Sequence, residues 1–272
     1  QTDLDGLASM LGAHLLRPEA IALLPRQINR NGKAFLRRYA NELPFSDYQA
    51  LPHESISSVF LVDTQSLVTL RGMNEQTNVT VLDHHPRKVQ IHPNWQVELH
   101  LTGACTTILV EKLKEQNITL SPIEATLMLL GIYEDTGSLT YSCTSPADAR
   151  AVAFLLEQGA DLNIASIYLN PPLSNAQQQL YDRLLKDLIQ VDVEGYSILV
   201  AKAIATDLND EISTVAHKMR EFLTPDGLVL LVSTRQGIRL VARSTTDNID
   251  MSRLALHFGG GGHKRAASAL IR

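Results

Sequence analysis

The sequence predicts an α/β protein of two domains, a larger one on a parallel sheet and a smaller one after it. Three observations carry this. Two short runs dense in Val and Leu, "SVFLVDT" and "VTVLDHH", lack the alternation of a half-solvated strand, as expected of strands buried on both faces of a parallel sheet. Helical patterns stand on either side of them. From Asn170, "NPPLSNAQQQ" breaks the pattern, and the residues beyond it read as strand, helix and hairpin.

Taken in order, Leu7, Met10, Leu11 and Leu15 recur at helical steps behind "QTDLDG". The two apolar strands end at Asp63 and Asp83. A helix then opens at Ser121, with Pro122 at its first position and Glu124 completing a capping box, and runs into "EDTG", where Gly137 stops it. "SPADARAVAFLLEQG" reads as another helix, ending at Gly159. After a linker helix, "QQLYDRLLKDLI", come a strand "YSILVAKAI", a helix "DEISTVAHKMREFL" and a hairpin turning at Gly237. A last helix, "NIDMSRLALHF", leads into "GGGGH". The expected division is residues 1–172, a linker over 173–190, and 191–272, with the first domain Rossmann-like and the second a smaller α/β unit.

Composition narrows the classes. The chain has 272 residues, 44% of them hydrophobic, enough for packed cores. A net charge of −5 argues against broad non-specific binding to nucleic acid. Cys105 and Cys143 lack metal-type spacing and fit a reducing cytoplasm. No apolar run approaches the roughly 20 residues a membrane span requires.

The chemistry lies in a set of carboxylates and histidines. In open α/β sheets ligands collect at the carboxyl ends of the strands, where Asp63 and Asp83 fall. Asp3, Asp5 and Asp135, with His84 and His85, are expected at the same edge, and such a concentration of negative charge calls for cations. Mixed carboxylate and imidazole donors suit Mn²⁺, with Mg²⁺, Fe²⁺ or Zn²⁺ as alternatives, and two ions could clamp an in-line phosphoryl displacement. Each part alone has a plainer explanation: a D-x-D before a helix is more often a cap, and an aspartate after a strand is often a turn residue. Their order along the chain is what points to a site. A second motif, "FGGGGHKRAASA", sets four glycines, Gly259, Gly260, Gly261 and Gly262, before His263. With Arg243 and Ser244 at the preceding strand end, it reads as a phosphate-binding element in which glycine N–H groups face an anion.

Together "TDLDGLAS", "LVDT", "VLDHHP", "EDTG" and "FGGGGH" make the chain resemble the DHH phosphoesterases that carry a DHH-associated C-terminal domain. The version it looks most like opens long bacterial proteins, fused to paired CBS domains and a tRNA nucleotidyltransferase or poly(A) polymerase-like module. The resemblance implies a two-ion site: Asp3 and Asp63 on one Mn²⁺, and Asp5, Asp63, His84 and Asp135 on the other, with Asp63 bridging. It implies that Asp83 orients His84, that His85 serves as phosphate ligand or leaving-group acid, and that Arg243, His263 and the glycines hold substrate across a cleft between the domains. It also implies a histidine four residues before Asp3, ahead of Gln1, and fused domains beyond residue 272. The expected activity is hydrolysis of phosphodiesters in short oligonucleotides or small nucleotides, in the cytoplasm and away from membranes, with a homodimer among the expected states. Alternatives are a cyclic-dinucleotide phosphodiesterase, a pyrophosphatase, or a non-hydrolytic nucleotide- or RNA-binding module.

Overall fold

The structure, a computed structural model, describes residues 2–51, 55–66, 70–87, 91–169, 171–206 and 212–272. It divides into two compact units, Gln1–Pro171 and Pro172–Arg272.

The first unit begins with α1 (Leu4–Leu16), β1 (Ala22–Leu23), α2 (Arg30–Tyr39) and β2 (Phe45–Ser46). Next come β3 (Ser58–Val62), β4 (Asn78–Asp83) and β5 (Gln96–Leu99), then helices α3 (Cys105–Glu115), α4 (Pro122–Thr136), α5 (Pro146–Glu157) and α6 (Leu162–Leu169). β3, β4 and β5 form a parallel sheet in that order. Val62 pairs with Leu82, and the Asp63 amide donates to the Leu82 carbonyl, so both strands finish side by side. That register sets Asp63 beside Asp83 at the carboxyl edge.

The helices pack as their sequences require. α1 buries Leu4, Leu7, Ala8 and Leu11, each fully buried Leu contributing about 1.5–3 kcal/mol. It lies against α3 and α4 through small residues: a Cβ on Gly131 of α4 would stand 2.7 Å from the Ala8 Cβ and 3.1 Å from the Asp5 Cα. This close approach brings the last turn of α4, with Asp135, next to the first turn of α1. Ser121 and Glu124 form the expected capping box, and Gly137 ends α4 in the left-handed conformation. α5 carries a second capping box, from Ser145 and Asp148.

The second unit comprises α7 (Asn175–Lys186), β6 (Ile189–Val193), β7 (Tyr196–Ile204), α8 (Ile212–Leu223), β8 (Gly227–Thr234), β9 (Gly237–Ser244), α9 (Met251–His257), β10 (Gly261–His263) and β11 (Ala266–Ile271). Its sheet runs β10-β11-β9-β8-β7-β6, antiparallel except between β7 and β8. α7 and α8 bury Leu180, Leu184, Val215 and Met219 against Leu199, Leu228, Leu230 and Val232. α7 occupies much of the stretch expected as a linker, and it belongs to this core. α9 covers the other face at β9 and β11 with Met251 and Ala255. The opening residues of the helix expected over 210–223, and Asn170, lie outside the described residues. Among the described residues no helix is long and apolar enough to cross a membrane.

Candidate metal centre

Six residues build the site. Asp63 follows β3 with φ +56°, a left-handed conformation that costs a non-glycine residue about 1–3 kcal/mol and is held only where its surroundings enforce it. Asp83 is the last residue of β4, and His84 and His85 follow it. Asp5 lies in the first turn of α1, and Asp135 in the last turn of α4.

Three of these carboxylates meet at one atom of His84. The Nε2 of His84 stands 3.2 Å from Asp135 Oδ2, 3.5 Å from Asp63 Oδ1 and 3.8 Å from Asp5 Oδ2. The other ring nitrogen, Nδ1, faces the Thr102 carbonyl at 3.2 Å. That contact turns Nε2 toward the carboxylates. A second group of converging donor atoms joins Asp63, Asp83, His84 and His85. His84 Nε2 and Asp63 Oδ1 are both buried, and neither makes a hydrogen bond. Buried polar atoms are rarely left so. Three carboxylates also outnumber the single positive charge His84 can carry. The donor set and its deficit of positive charge fit a divalent cation, with Asp5, Asp63, His84 and Asp135 as the residues to hold it.

The electrostatics arise from this crowding. Burial would depress the His84 imidazole, but the carboxylates of Asp135, Asp63 and Asp5 override it and push it up to about 11. Burial raises Asp5 well above the usual carboxylate range, and repulsion from Asp63 and Asp135 adds to it. Burial likewise raises Asp63 and Asp3. The surrounding carboxylates thus favour the protonated form of His84.

Asp83 differs from its expected role. Its Oδ1 accepts from the backbone amides of His84 (2.8 Å) and His85 (3.2 Å), and its side-chain histidine partner is His85, with Nδ1 at 2.8 Å. The ring of His84 is oriented by Thr102 instead. Burial would raise Asp83, but the hydrogen bonds from His85 and Gln65 hold it at about 2. The bond to Asp83 raises His85 in turn, and its half-exposed ring stays protonated more readily. Asp3 stands apart from both converging groups: its Oδ1 caps α1 by accepting from the Gly6 amide at 3.0 Å. It nonetheless flanks Asp63, since a Cβ on Gly6 would lie 3.6 Å from Asp3 Oδ1 and 3.3 Å from Asp63 Oδ2.

Several supporting contacts had little signal in the sequence. Asp5 also caps α3 from a distance, its two oxygens accepting from the amides of Cys105 (2.8 Å) and Thr106 (2.9 Å). Gln65, buried, donates to Asp83 Oδ2 at 2.9 Å. Asp148, buried, accepts from the Gly103 amide and from the Thr107 and Ser145 hydroxyls, which burial opposes but does not prevent from lowering its pKa. Glu134 accepts from the Leu4 amide and from Asn29 Nδ2, and burial pushes it up to about 7. Only the polar capping pattern around Ser145 could have marked one of these in advance.

In the second unit, the residues expected at a phosphate divide. Arg243 pairs with Ala266, and Ala266 with His263, so Arg243 and His263 share one face of the sheet with a small residue between them. His263 is exposed. Ser244 is fully buried, its hydroxyl within hydrogen-bond distance of the Asp226 and Thr246 carbonyls, so it shapes a turn. The glycines divide as well. The amides of Gly259 and Gly260 donate to Leu256 and Ala255, closing α9, and Gly261 and Gly262 belong to β10. Gly260 and Gly262 are needed because a Cβ there would collide with the Ser268 and Ala266 carbonyl oxygens of β11. Gly259 and Gly261 face open space.

Residues 1–132 match the family model described as DHH family, N-terminal domain. This part of the chain is a DHH-family domain. Over 277 residues the chain is 37% identical to an A-adding tRNA nucleotidyltransferase of Geobacter sulfurreducens, covering 99% of this chain and 31% of that protein. It thus spans less than a third of that relative's length. It is 25% identical over 224 residues to the bifunctional oligoribonuclease and PAP phosphatase NrnA of Mycoplasma genitalium, covering 80% of this chain and 69% of the relative. Among solved structures, an exopolyphosphatase-related protein from Bacteroides fragilis has the same fold, with a TM-score of 0.74 and 16% identity over 98% of this chain and 83% of that one. The α/β architecture expected from the sequence is therefore the one the chain has.

Proposed function

We propose that this DHH module is a manganese-dependent phosphohydrolase that cleaves phosphodiester bonds in short oligonucleotides or small nucleotides. The observation that carries the proposal is the meeting of Asp5, Asp63 and Asp135 around the buried Nε2 of His84. In this reading Asp5, Asp63, His84 and Asp135 would hold one ion, and Asp3 with Asp63 would hold a second. The oxygen-rich donor set favours Mn²⁺ and admits Mg²⁺. Bound divalent ions supply Lewis acidity at the phosphorus and a nucleophilic water at neutral pH.

The chain's own residues do the rest. His85, held through Nδ1 by Asp83 and half-exposed, delivers a proton to the leaving oxygen. Arg243 and His263, on one sheet face of the second unit, bind the substrate's phosphate. The NrnA relative, named as an oligoribonuclease and PAP phosphatase, supports short nucleotide substrates. Free Cys105 and Cys143 support a reducing cytoplasm as the setting.

A second reading is a nucleotide- or RNA-binding module of a longer tRNA nucleotidyltransferase, without turnover. The Geobacter relative, of which the chain spans 31%, favours it. One panel separates the two: release of product from pApA, short RNA, cyclic di-AMP and pyrophosphate with Mn²⁺, for the wild type and for Asp63→Ala and His84→Ala. Hydrolysis lost in both variants is expected. Binding without hydrolysis of any of the four selects the second reading, and full activity in EDTA rejects the metal-dependent one.

A further inference from the structure

Glu134 is not among the donor atoms that converge on His84, yet it ties three of the proposed ligands together. The start of α1 leaves backbone N–H groups without helical partners. Asp3 satisfies the Gly6 amide, and Glu134 Oε2 satisfies the Leu4 amide. Leu4 is the one residue between Asp3 and Asp5, so a grip on its amide sets where both carboxylates stand. Glu134 directly precedes Asp135 on α4, so the same grip sets those two against Asp135. Its other oxygen accepts from Asn29 Nδ2 at 3.2 Å. Asn29 in turn caps α2 through the Gly32 amide (2.7 Å), and its own amide donates to the Thr2 carbonyl (2.8 Å). One carboxylate thus joins the chain before α1, the first turn of α1, the start of α2 and the end of α4.

We infer that Glu134 is a positioning residue for the metal centre, holding the Asp3–Leu4–Asp5 segment in register with Asp135 through the Leu4 amide. The inference rests on the proposed metal centre and goes beyond it. Metal sites tolerate ligand displacements of about 0.2 Å, so a small shift of this segment is felt as lost affinity. In this role Glu134 needs neither to touch an ion nor to carry a charge. Reach is what counts.

Two variants separate reach from charge. Glu134→Asp keeps the carboxylate but is shorter by one carbon–carbon bond, about 1.5 Å, and loses the Leu4 amide. Glu134→Gln removes the charge but keeps an oxygen at full reach for that amide, giving up only the Asn29 contact. The measurements are a calorimetric Mn²⁺ titration of the EDTA-stripped 272-residue chain and the thermal midpoint of the stripped protein. Glu134→Asp is expected to weaken Mn²⁺ binding about 10–100-fold, the range seen when supporting partners of ligands are lost, while Glu134→Gln stays within about threefold of wild type. Equal losses in both variants would mean charge matters, and overturn the inference. So would a Glu134→Asp protein that melts lower but titrates like wild type, which would make Glu134 a plain helix cap. If wild type itself takes up no Mn²⁺, the proposed function falls and this inference with it; wild-type binding unmatched by any change in the variants sinks the inference alone.

Discussion

Replacing Gln65 by Leu tests the support beneath the histidines. Gln65 is 3% exposed, and its Nε2 donates to Asp83 Oδ2 at 2.9 Å, with longer contacts to the His85 and Pro86 carbonyls at 3.3 Å. Leu nearly conserves the volume and removes the donor. A hydrogen bond to a charged acceptor contributes about 1.5–3 kcal/mol, and its loss leaves a buried carboxylate oxygen short of a partner. For a unit of this size each kcal/mol moves the melting temperature by about 2–4 °C, so a drop of roughly 3–12 °C is expected by scanning calorimetry. Asp83 also carries both histidine amides and the His85 ring, so the disturbance reaches the site: Mn²⁺ affinity should fall about 10–100-fold in a calorimetric titration. The pH dependence has a definite sign. Because Asp83 titrates at about 2 in the folded protein, below its ordinary value, its stabilising share is present above about pH 4 and is lost as pH falls toward 2. The gap between variant and wild type should therefore close in acid. An unchanged melting temperature together with unchanged Mn²⁺ affinity refutes the reasoning. A lower melting temperature at unchanged affinity refutes the part that couples Asp83 to the metal.

The same geometry sets other expected outcomes. Mn²⁺ binding should displace the proton that His84 keeps up to about pH 11, so affinity tightens about tenfold per pH unit for each proton released; titrations in buffers of different ionisation enthalpy that show no release contradict this. Without metal, the His84 contribution is complete below its unfolded pKa of about 6.5 and is lost as pH rises toward 11, while ionisation of Glu134, raised to about 7, opposes folding from about pH 4.5 upward. The stripped protein should therefore melt lower at pH 9 than at pH 5, and a flat profile counts against the assignment. Gly6→Ala places a Cβ 2.7 Å from Thr2 Cγ2 and 3.3 Å from Asp63 Oδ2, which should cost about 1–3 kcal/mol in denaturant unfolding and weaken Mn²⁺ uptake. Asp148→Ala strips partners from the Gly103 amide and from Thr107 and Ser145, and should destabilise by about 3–5 kcal/mol in urea; a loss under about 1 kcal/mol would show that those donors find other partners.

Much of the fold was legible because its punctuation is local. Ser121, Pro122 and Glu124 announce α4, Gly137 ends it, and the unbroken apolar runs before Asp63 and Asp83 announce parallel strands. The carboxylate–histidine cluster was legible for a related reason: metal chemistry restricts the residue types, so aspartates and histidines at strand ends stand out. What residue type alone does not reveal is the partner. Ser244 follows an arginine at a strand end, as a phosphate ligand would, but its hydroxyl is consumed by carbonyls of its own turn. The four glycines suggest an anion cradle, yet two are required by the carbonyls of β11 and two amides are spent on α9. A glycine reports that something comes close, and the sequence does not say whether it is a ligand or the next strand.

The supports of the site were illegible because they act through backbone groups far apart in sequence. Asp5 accepts from the amides of residues 100 and 101 positions away, and Glu134 from one 130 positions away. Those amides have no side-chain signature, so any residue but proline at 4, 105 or 106 could donate them. The consequence for the chemistry is specific. Asp5 is a carboxylate shared between the start of α3 and the cluster around His84, and Asp63 is held at φ +56°, so both proposed ligands are constrained in the metal-free protein. A metal-free cluster of this kind works against folding through burial, repulsion and backbone strain together. The large cores around α1, α3 and α4 offset that cost, which is why the most tightly buried helices are the ones that carry the least comfortable side chains.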